Sequence, residues 1–564
     1  MKLISFIKEI LKNKKINYLL VFIFFIILFS VIYFSVPKII SLDDPLFYIK
    51  YSSLIRDRGL EVIKNFHWIY FADNTRFGML YSLFNFVLIP FTFFPKLWLG
   101  IKFFGVMGAS AVMFVIYWWF RKLKIKYSFL VLMFLWSIAP FSFAYRIFYT
   151  RPFILMMIIV LLEIYCLWKK KYLLILLLAF LHIFNHGNTF YLPLFFAVTF
   201  FTFDYLHIKK ADFKLLLTSA LGTIFGMMIL PNFPLNFLIM FKVVFNIYEA
   251  VLKKSQVFIP EGGENYGVNV LDFISQNYLF IGLLICLFLF RIIYYIFQVK
   301  NKEIEDKRLT YFDLDKEHLV LNDSLFFINL TSLVAFVFTR RVSDFWFPLI
   351  LIYLILNLKI FVTNIKINIK DEYKYIISKA VIVFIIIMFV YLVTARSMNI
   401  NLSIAGASMP EIFKGSAEWL ANNTKDGEII FLDNWSNFPN LFYYNTKNYY
   451  IMGMEPRFLY DYDKELYLYW YNIISMGFPC NQVDCQEWGD KIKDKDSKEA
   501  IKILDKDIAL IIRDKFKSNY ILTSGTSGNF YVILKKSEYF SEVYRDPEFK
   551  NFTVFKIDNE KLDK

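Results

Sequence analysis

Apolar residues run along this chain in blocks of about 18 or more, from the first helix to about residue 395, with short polar stretches rich in Lys and Arg between them. A block of that length, wound as an α-helix, crosses the ~30 Å of hydrocarbon in a bilayer and pairs its backbone N–H and C=O groups within itself. The pattern predicts about eleven membrane-spanning helices, near 16–34, 98–120, 127–145, 152–168, 172–184, 189–206, 213–230, 270–298, 320–338, 345–360 and 375–395. Residues 79–94 are a further apolar stretch. They read as re-entrant or interfacial, because a spanning helix there would place the basic loop Arg121–Lys126 outside, against the charge rule. Past residue 400 the apolar runs shorten to strand length. Glu428–Leu432, Tyr449–Met452, Ile508–Ile512 and Phe530–Leu534 read as buried strands, with helices near 411–422 and 496–504 between them. The expected fold is a polytopic α-helical membrane protein, with a transmembrane catalytic domain over 1–398 and an extracytoplasmic, soluble α/β domain over 399–564. Its principal outer loops span 41–97 and 231–268.

Composition strengthens this reading. Of 564 residues, 58% are hydrophobic and 20% aromatic, with 67 Phe and 37 Tyr, and the mean hydropathy is +0.48. That lies well above the balance of a soluble domain. A net charge of +15 would suit a nucleic-acid partner, but the bases are spread over short loops instead of forming a compact basic domain, so no nucleic acid is expected. Lys2, Lys8, Lys12, Lys14 and Lys15 precede the first helix, which predicts a cytoplasmic N-terminus, a multi-pass protein of the cell membrane and an external C-terminal domain. The segment Ile16–Phe34 is too long for a signal-peptide core and no small-residue cleavage site follows it, so it reads as a retained signal anchor. Four cysteines are too few for a disulfide framework. Cys480 and Cys485 can pair if the compartment oxidises, or stay reduced, and Cys166 and Cys286 fall in membrane helices. No GxGxxG, Walker or metalloprotease motif is present, which argues against nucleotide-fuelled or proteolytic chemistry.

The alternation of sides gathers the unusual polar residues at the outer face: Asp43, Asp44, Arg146, Arg151, His186, Arg340, Arg341, Asp344 and the loop 231–268. Ionisable groups at helix ends in a membrane protein point to function, because isolated charges there are expensive. Bland roles stand beside the functional ones. Arginines snorkel to lipid headgroups, and Asp43-Asp44-Pro45 is a favoured helix start. His182 and His186 fall on one helical face at the spacing of a metal pair, although no HExxH frame surrounds them. Acids at membrane depth are few, Glu163 and Glu249. In the C-terminal part, Asp433-Asn-Trp-Ser-Asn-Phe-Pro439 and Asn445 to Arg457 single out Asp433, Trp435, Glu455 and Arg457 as acceptor-side candidates.

A first helix, an acidic pair at its outer end and an amphipathic stretch after it resemble the GT-C superfamily of membrane glycosyltransferases, which includes protein O-mannosyltransferases, aminoarabinose lipid A transferases and oligosaccharyltransferase catalytic subunits. The residues that carry the resemblance are Ser41-Leu-Asp-Asp-Pro-Leu-Phe-Tyr-Ile-Lys50, Ser53 to Gly59, Tyr149-Thr-Arg-Pro152, His186-Gly187 and Arg341-Val-Ser-Asp-Phe-Trp-Phe-Pro348. The Asp433 stretch differs from the Trp-Trp-Asp signature of oligosaccharyltransferases. The resemblance implies transfer of a sugar from a polyprenyl-phosphate-linked donor to a glycan, lipid or protein acceptor outside the cytoplasm. Asp44 is the first choice of general base, and Asp43 the second, as an orienting or metal-binding partner. Arg151, Arg146, Arg340, Arg341 and His186 would bind the donor phosphate or sugar, with Lys242 behind them. A divalent cation, Mg or Mn, at Asp43 and Asp44 is left open. The alternative readings are a membrane transporter or lipid-linked saccharide flippase, and a non-enzymatic membrane anchor. A polysaccharide polymerase or ligase is a close neighbour of the first reading.

Overall fold

A computed structural model describes residues 14–41, 43–72, 82–231, a few positions between 233 and 259, 267–300, 315–364, 371–407 and 409–564. Lys242, Glu249 and most of the loop 231–268 lie outside the described residues.

Helices form at each of the eleven stretches that the hydropathy pattern marks. They are α1 (Lys14–Phe34), α3 (Leu97–Lys122), α4 (Ser128–Ile138) with α5 (Phe141–Arg146), α6 (Phe153–Trp168), α7 (Tyr172–Asn185), α8 (Tyr191–Ile208), α9 (Phe213–Ile229), α10 (Val270–Gln276) with α11 (Tyr278–Lys300), α12 (Lys316–Phe338), α13 (Ser343–Asn364) and α14 (Asp371–Ala405); α2 (Asp44–Arg58) lies in the first loop. Among the described residues, five helices are long and apolar enough to cross a membrane. A sixth is added if α10 and the start of α11, bent by 98°, count as one span. The apolar helices α4, α6, α7 and α9 are shorter than that limit. So is Ser82–Phe93, which at ~1.5 Å per residue reaches only ~18 Å.

The helix expected over 127–145 is broken because Pro140 offers no N–H and disfavours helix at the residue before it. The carbonyls freed at the break are met by Arg396, whose guanidinium donates to Ser137 O at 2.7 and 3.0 Å and to Ala139 O at 2.6 Å. α7 and α9 approach closely through small residues. A Cβ added at Gly222 would sit 2.3 Å from Leu176 O, and one at Gly226 would sit 2.7 Å from Ile183 Cβ. This is the GxxxG logic of membrane helices, where packing replaces a hydrophobic drive.

The C-terminal part carries a five-stranded sheet in the order β2-β1-β3-β5-β4, with β1 Ile429–Leu432, β2 Tyr449–Tyr450, β3 Ser518–Thr523, β4 Phe540–Arg545 and β5 Thr553–Ile557. β1 runs parallel to β2 and β3, while β5 is antiparallel to β3 and β4. Two predicted strands are helices. Ile508–Ile512 ends a helix over Ser497–Leu510 that Asp496 caps by accepting from Lys498 N–H and Glu499 N–H; its apolar residues Ile501, Leu504 and Ile508 recur at helical spacing. Phe530–Leu534 lies in Asn529–Lys536, where Phe530, Tyr531, Ile533 and Leu534 are buried and Val532 is exposed. Strand side chains alternate between two cores. Ile429, Phe431, Ile521 and Phe555 pack against the domain's own helices. Ile430, Leu432, Leu522 and Val554 belong to the core of the helical bundle. The sheet is therefore continuous with the bundle and not a detached unit.

The first loop completes this union. Residues 68–70 lie beside β2 as a parallel bridge, with Tyr450 N–H donating to Trp68 O and Tyr70 N–H donating to Tyr450 O, both at 2.8 Å. The Trp68 indole donates to Thr446 O at 2.8 Å. Phe47 of α2, Phe66 and Trp68 pack against Phe442 at 5.5, 6.0 and 5.1 Å between ring centroids. Gly222→Leu is expected to lower the thermal midpoint of the detergent-solubilised protein, at a cost of about 1–3 kcal/mol for overpacking, with Gly222→Ala intermediate. An unchanged midpoint for the leucine variant would contradict the close α7–α9 contact.

Candidate active site

α2 opens at the acidic pair. Asp43 holds the N-cap position, and its carbonyl accepts from Leu46 N–H at 3.2 Å, but its carboxylate makes no capping hydrogen bond. The helix is buried at every position from Pro45 to Ile55 except Lys50. It is thus a wedge between bundle and sheet, not the amphipathic surface segment expected from sequence. Ser53 Oγ donates to Lys50 O at 2.7 Å within the helix, and Ser52 Oγ donates to Asn85 Oδ1 at 3.4 Å.

Asp44 Oδ2 lies 3.0 Å from Arg151 Nε. Asp43 lines a cleft of about 380 Å³ between the first loop and the C-terminal part, together with Ser41, Phe413, Ser436, Asn437 and Asn440. Asn437 and Asn440 come from the turn after β1 and the helix Phe438–Tyr444, which has Pro439 in its first turn. Three residues apart, they share one face. Asn440 is buried, and its Oδ1 has no hydrogen-bond partner among the described residues.

Beside the acidic pair sit the two arginines that flank Tyr149. The Arg151 and Arg146 guanidinium carbons lie 5.4 and 5.7 Å from its ring centroid. Arg146 grips Asp344, in the first turn of α13, through Nε and Nη2 at 2.7 and 2.8 Å. This is the two-pronged geometry that distinguishes Arg from Lys. Arg341 reaches Glu455 of the C-terminal part at 3.5 Å. Both are about two-fifths exposed, so that pair is worth ~0–1 kcal/mol. Asn185 Nδ2 donates to Pro152 O at 2.9 Å, tying the α7–α8 turn to the residue after Arg151.

His186 follows Asn185. Burial, reinforced by the charge of Arg341 and by His182, pushes its imidazole down to about 3, so it is neutral at physiological pH. It cannot act there as a cationic phosphate ligand. His182 and His186 do not face a shared ion, because the hydroxyl of Thr189 stands between them, 3.1 Å from His182 Nε2 and 3.3 Å from His186 Nδ1. Among the described residues, no group of three or more His, Cys, Asp or Glu side chains is arranged to hold a metal ion.

The remaining candidates are scattered around this centre. Arg340 is exposed and has no side-chain partner among the described residues. Trp435 packs on the far core of the sheet. Arg457 lies 3.6 Å from Asp461 of its own helix. Asp433 Oδ2 accepts from Ser524 N–H at 2.8 Å, and its Oδ1 from Ser524 Oγ at 3.2 Å. Burial outweighs these bonds and pushes its carboxyl up to about 6. Cys480 and Cys485 form a disulfide. Sequence reasoning missed Phe413, Asn437 and Asn440; the three-residue spacing of the two asparagines after a helix-starting turn was the available signal.

No model of a known protein family matches the sequence, and a search of curated proteins finds no match.

A group whose carboxyl is raised in the folded state holds a proton there that the unfolded chain releases near 3.8. Asp433 is thus expected to make the protein lose stability as pH rises from about 4 through about 6. The difference in thermal midpoint between wild type and Asp433→Asn, measured across that window, should open with rising pH in favour of the variant. A constant difference would contradict the raised carboxyl.

Proposed function

We propose that the protein is an integral-membrane glycosyltransferase with about eleven membrane passes, its N-terminus cytoplasmic and its sheet-bearing part outside. On this reading it moves a sugar from a polyprenyl-phosphate-linked donor to an acceptor hydroxyl or amide. The observation that carries it is the acidic pair at the start of α2: Asp43 lines a polar cleft, and the next residue, Asp44, lies 3.0 Å from Arg151, whose guanidinium shares the Tyr149 ring with that of Arg146. The short motifs that resemble the GT-C superfamily supply several of those residues.

The place of Asp43 in the cleft lining and the contact of Asp44 with Arg151 suggest a division of labour. Asp43 lines the cleft and takes the acceptor's proton as the acceptor oxygen or nitrogen forms its bond to the sugar's anomeric carbon. The bond from that carbon to the phosphate oxygen breaks at the same time, and the phosphate leaves with the electron pair. Arg151 and Arg146 use one edge of the guanidinium on Asp44 and Asp344. Their positive charge, held in place by those carboxylates, would offset the developing phosphate charge. Asp44 is therefore a positioning residue that aims Arg151, which reverses the order expected from sequence. Among the described residues, the cleft's lining includes a carboxylate, hydroxyls and amides and no Lys or Arg, which suits an acceptor.

Transfer of radiolabelled sugar from polyprenyl-phosphate donors in proteoliposomes tests this. Asp43→Asn is expected to lower the rate by about 10²-fold or more at unchanged thermal midpoint, the usual worth of a general base. Arg151→Lys should weaken donor use more than acceptor use. An active Asp43→Asn beside an inactive Asp44→Asn would return the base to Asp44. Failure of the folded wild type to transfer across a broad donor and acceptor panel would overturn the glycosyltransferase reading, and a flux assay in the same vesicles would then test the transporter or flippase.

A further inference from the structure

The far end of α6 carries a second set of charges. The helix runs 16 residues from just after Arg151, a rise of ~24 Å. It delivers Lys169, Lys170 and Lys171 to the side that the charge rule assigns to the cytoplasm. α3 ends beside them with Arg121 and Lys122 in its last turn. Lys169 Nζ lies 2.9 Å from Glu317 Oε2, and Lys170 Nζ lies 2.6 Å from Asp204 Oδ2. Lys122 and Lys171 have no carboxylate partner among the described residues. Both stand instead over one ring. Lys122 Nζ lies 5.9 Å and Lys171 Nζ 5.2 Å from the centroid of Tyr165, and Lys122 Nζ is also 5.4 Å from that of Trp118.

The backbone fixes this arrangement. Lys170 takes a left-handed φ of 52°, and Lys171 N–H donates to Cys166 O at 2.9 Å, which folds the third lysine back beside Tyr165. Trp118 and Tyr165 meet edge to face at 4.5 Å. Trp119 Nε1 donates to Leu161 O at 3.0 Å and ties α3 to α6. Neither helix is fully covered on this side. Phe114, Trp118 and Lys122 recur every four residues along α3, and Ile158, Leu162 and Tyr165 share one face of α6. The apolar and aromatic members are half-buried, while Lys122 and Lys171 are exposed. An apolar strip thus ends in two cations, the layout that receives an amphiphile with a negative head. Two ammonium groups near one ring repel each other. Lys171 also stands at the N-cap of α7, where the helix dipole opposes a cation. Packing alone would be served as well by a lysine paired with a carboxylate, as Lys169 and Lys170 are.

We propose that Lys122 and Lys171 clamp the phosphate of an anionic phospholipid of the inner leaflet, with an acyl chain laid along Trp118, Leu162 and Ile158. The phosphodiester supplies the negative charge that the two lysines lack and accepts hydrogen bonds from both ammonium groups. Tyr165 and Trp118 sit at the level of the headgroup, where amphipathic rings are favoured. A zwitterionic lipid is a poorer occupant, because it brings a cation of its own toward two lysines. Free phosphate would meet the lysines and leave the apolar strip bare. The site is independent of sugar transfer and needs only that α3 and α6 cross the bilayer.

The experiment titrates the full chain, in an uncharged detergent, with phosphatidylglycerol, phosphatidylcholine or inorganic phosphate. Native mass spectrometry counts the lipid retained, and a melt follows the thermal midpoint. Phosphatidylglycerol is expected to bind and raise the midpoint, and the other two to leave it in place. Lys122→Gln and Lys171→Gln should each weaken that lipid about fivefold, the usual worth of one lysine at an anionic lipid, whereas Lys122→Arg keeps it. Lys209→Gln combined with Lys214→Gln removes the same charge from lysines that stand over Tyr205 and Tyr172, and should leave phosphatidylglycerol bound as in wild type. Equal loss of the lipid in that control and in the Lys122→Gln, Lys171→Gln double variant would overturn the clamp and leave a general basic belt, as would no loss in the double variant. A midpoint raised as far by inorganic phosphate would overturn the lipid as occupant.

Discussion

Two hydrogen bonds at Tyr450, one given to Trp68 O and one taken from Tyr70 N–H, keep the sheet and the first loop in register. An edge strand that ends a sheet exposes a row of unpaired amides and carbonyls, and β2 here is only two residues long. The loop segment covers part of that row and brings Trp68, Phe66 and Phe47 with it onto the helix Phe438–Tyr444. That helix and the turn before it supply Asn437 and Asn440. The loop that ends in Trp68 begins at Ser41 and Asp43. Both walls of the cleft are thus set by one pairing, and α2, buried along nearly three turns, transmits the position of one wall to the other.

The charges around the cleft obey the same demand for satisfaction. Arg146 and Arg151 each stack beside Tyr149 and each spend part of the guanidinium on a carboxylate, so neither charge is isolated among apolar neighbours. Arg396 meets a similar need differently, by filling the carbonyls that Pro140 leaves open. Lys102 is buried in α3, and its ammonium donates to Tyr33 O and Val36 O at the end of α1. A cation at the carbonyl end of a helix is favoured by the helix dipole. Lys102 and Arg396 thus close helix ends, whereas Arg146 and Arg151 are held by carboxylates.

The helices were legible because an 18-residue apolar block has one physical explanation in a chain this hydrophobic. Their ends were legible in part: the helix expected over 375–395 runs on to Ala405, and those over 127–145 and 270–298 are broken. The sheet was read only in part. β1 and β2 emerge from solid apolar runs, whereas β3, β4 and β5 mix Ser, Asn, Glu and Lys into short alternations that were passed over. Ile508–Ile512 and Phe530–Leu534 were misread because a run of five apolar residues looks the same at the end of an amphipathic helix as in a buried strand. Candidate site residues were found by their cost in a membrane, but their partners were not. Arg146 and Asp344 are 198 residues apart, and only packing decides that pairing. The role of Thr189 between His182 and His186 was likewise hidden, because a threonine in an apolar chain carries no signal of its own.

The pairing of Trp68 with Thr446 joins positions 378 residues apart. A ribosome that has made α1 and α2 must therefore complete α3 to α14 before the edge of β2 exists to receive the first loop. Until then the wedge helix has no second wall to bury against, and its apolar sides need some other cover. Insertion into the bilayer can proceed helix by helix, while the cleft comes into being in a single late event. A prematurely ended chain would have its apolar helices formed and its cleft absent, so that the cleft reports a finished chain.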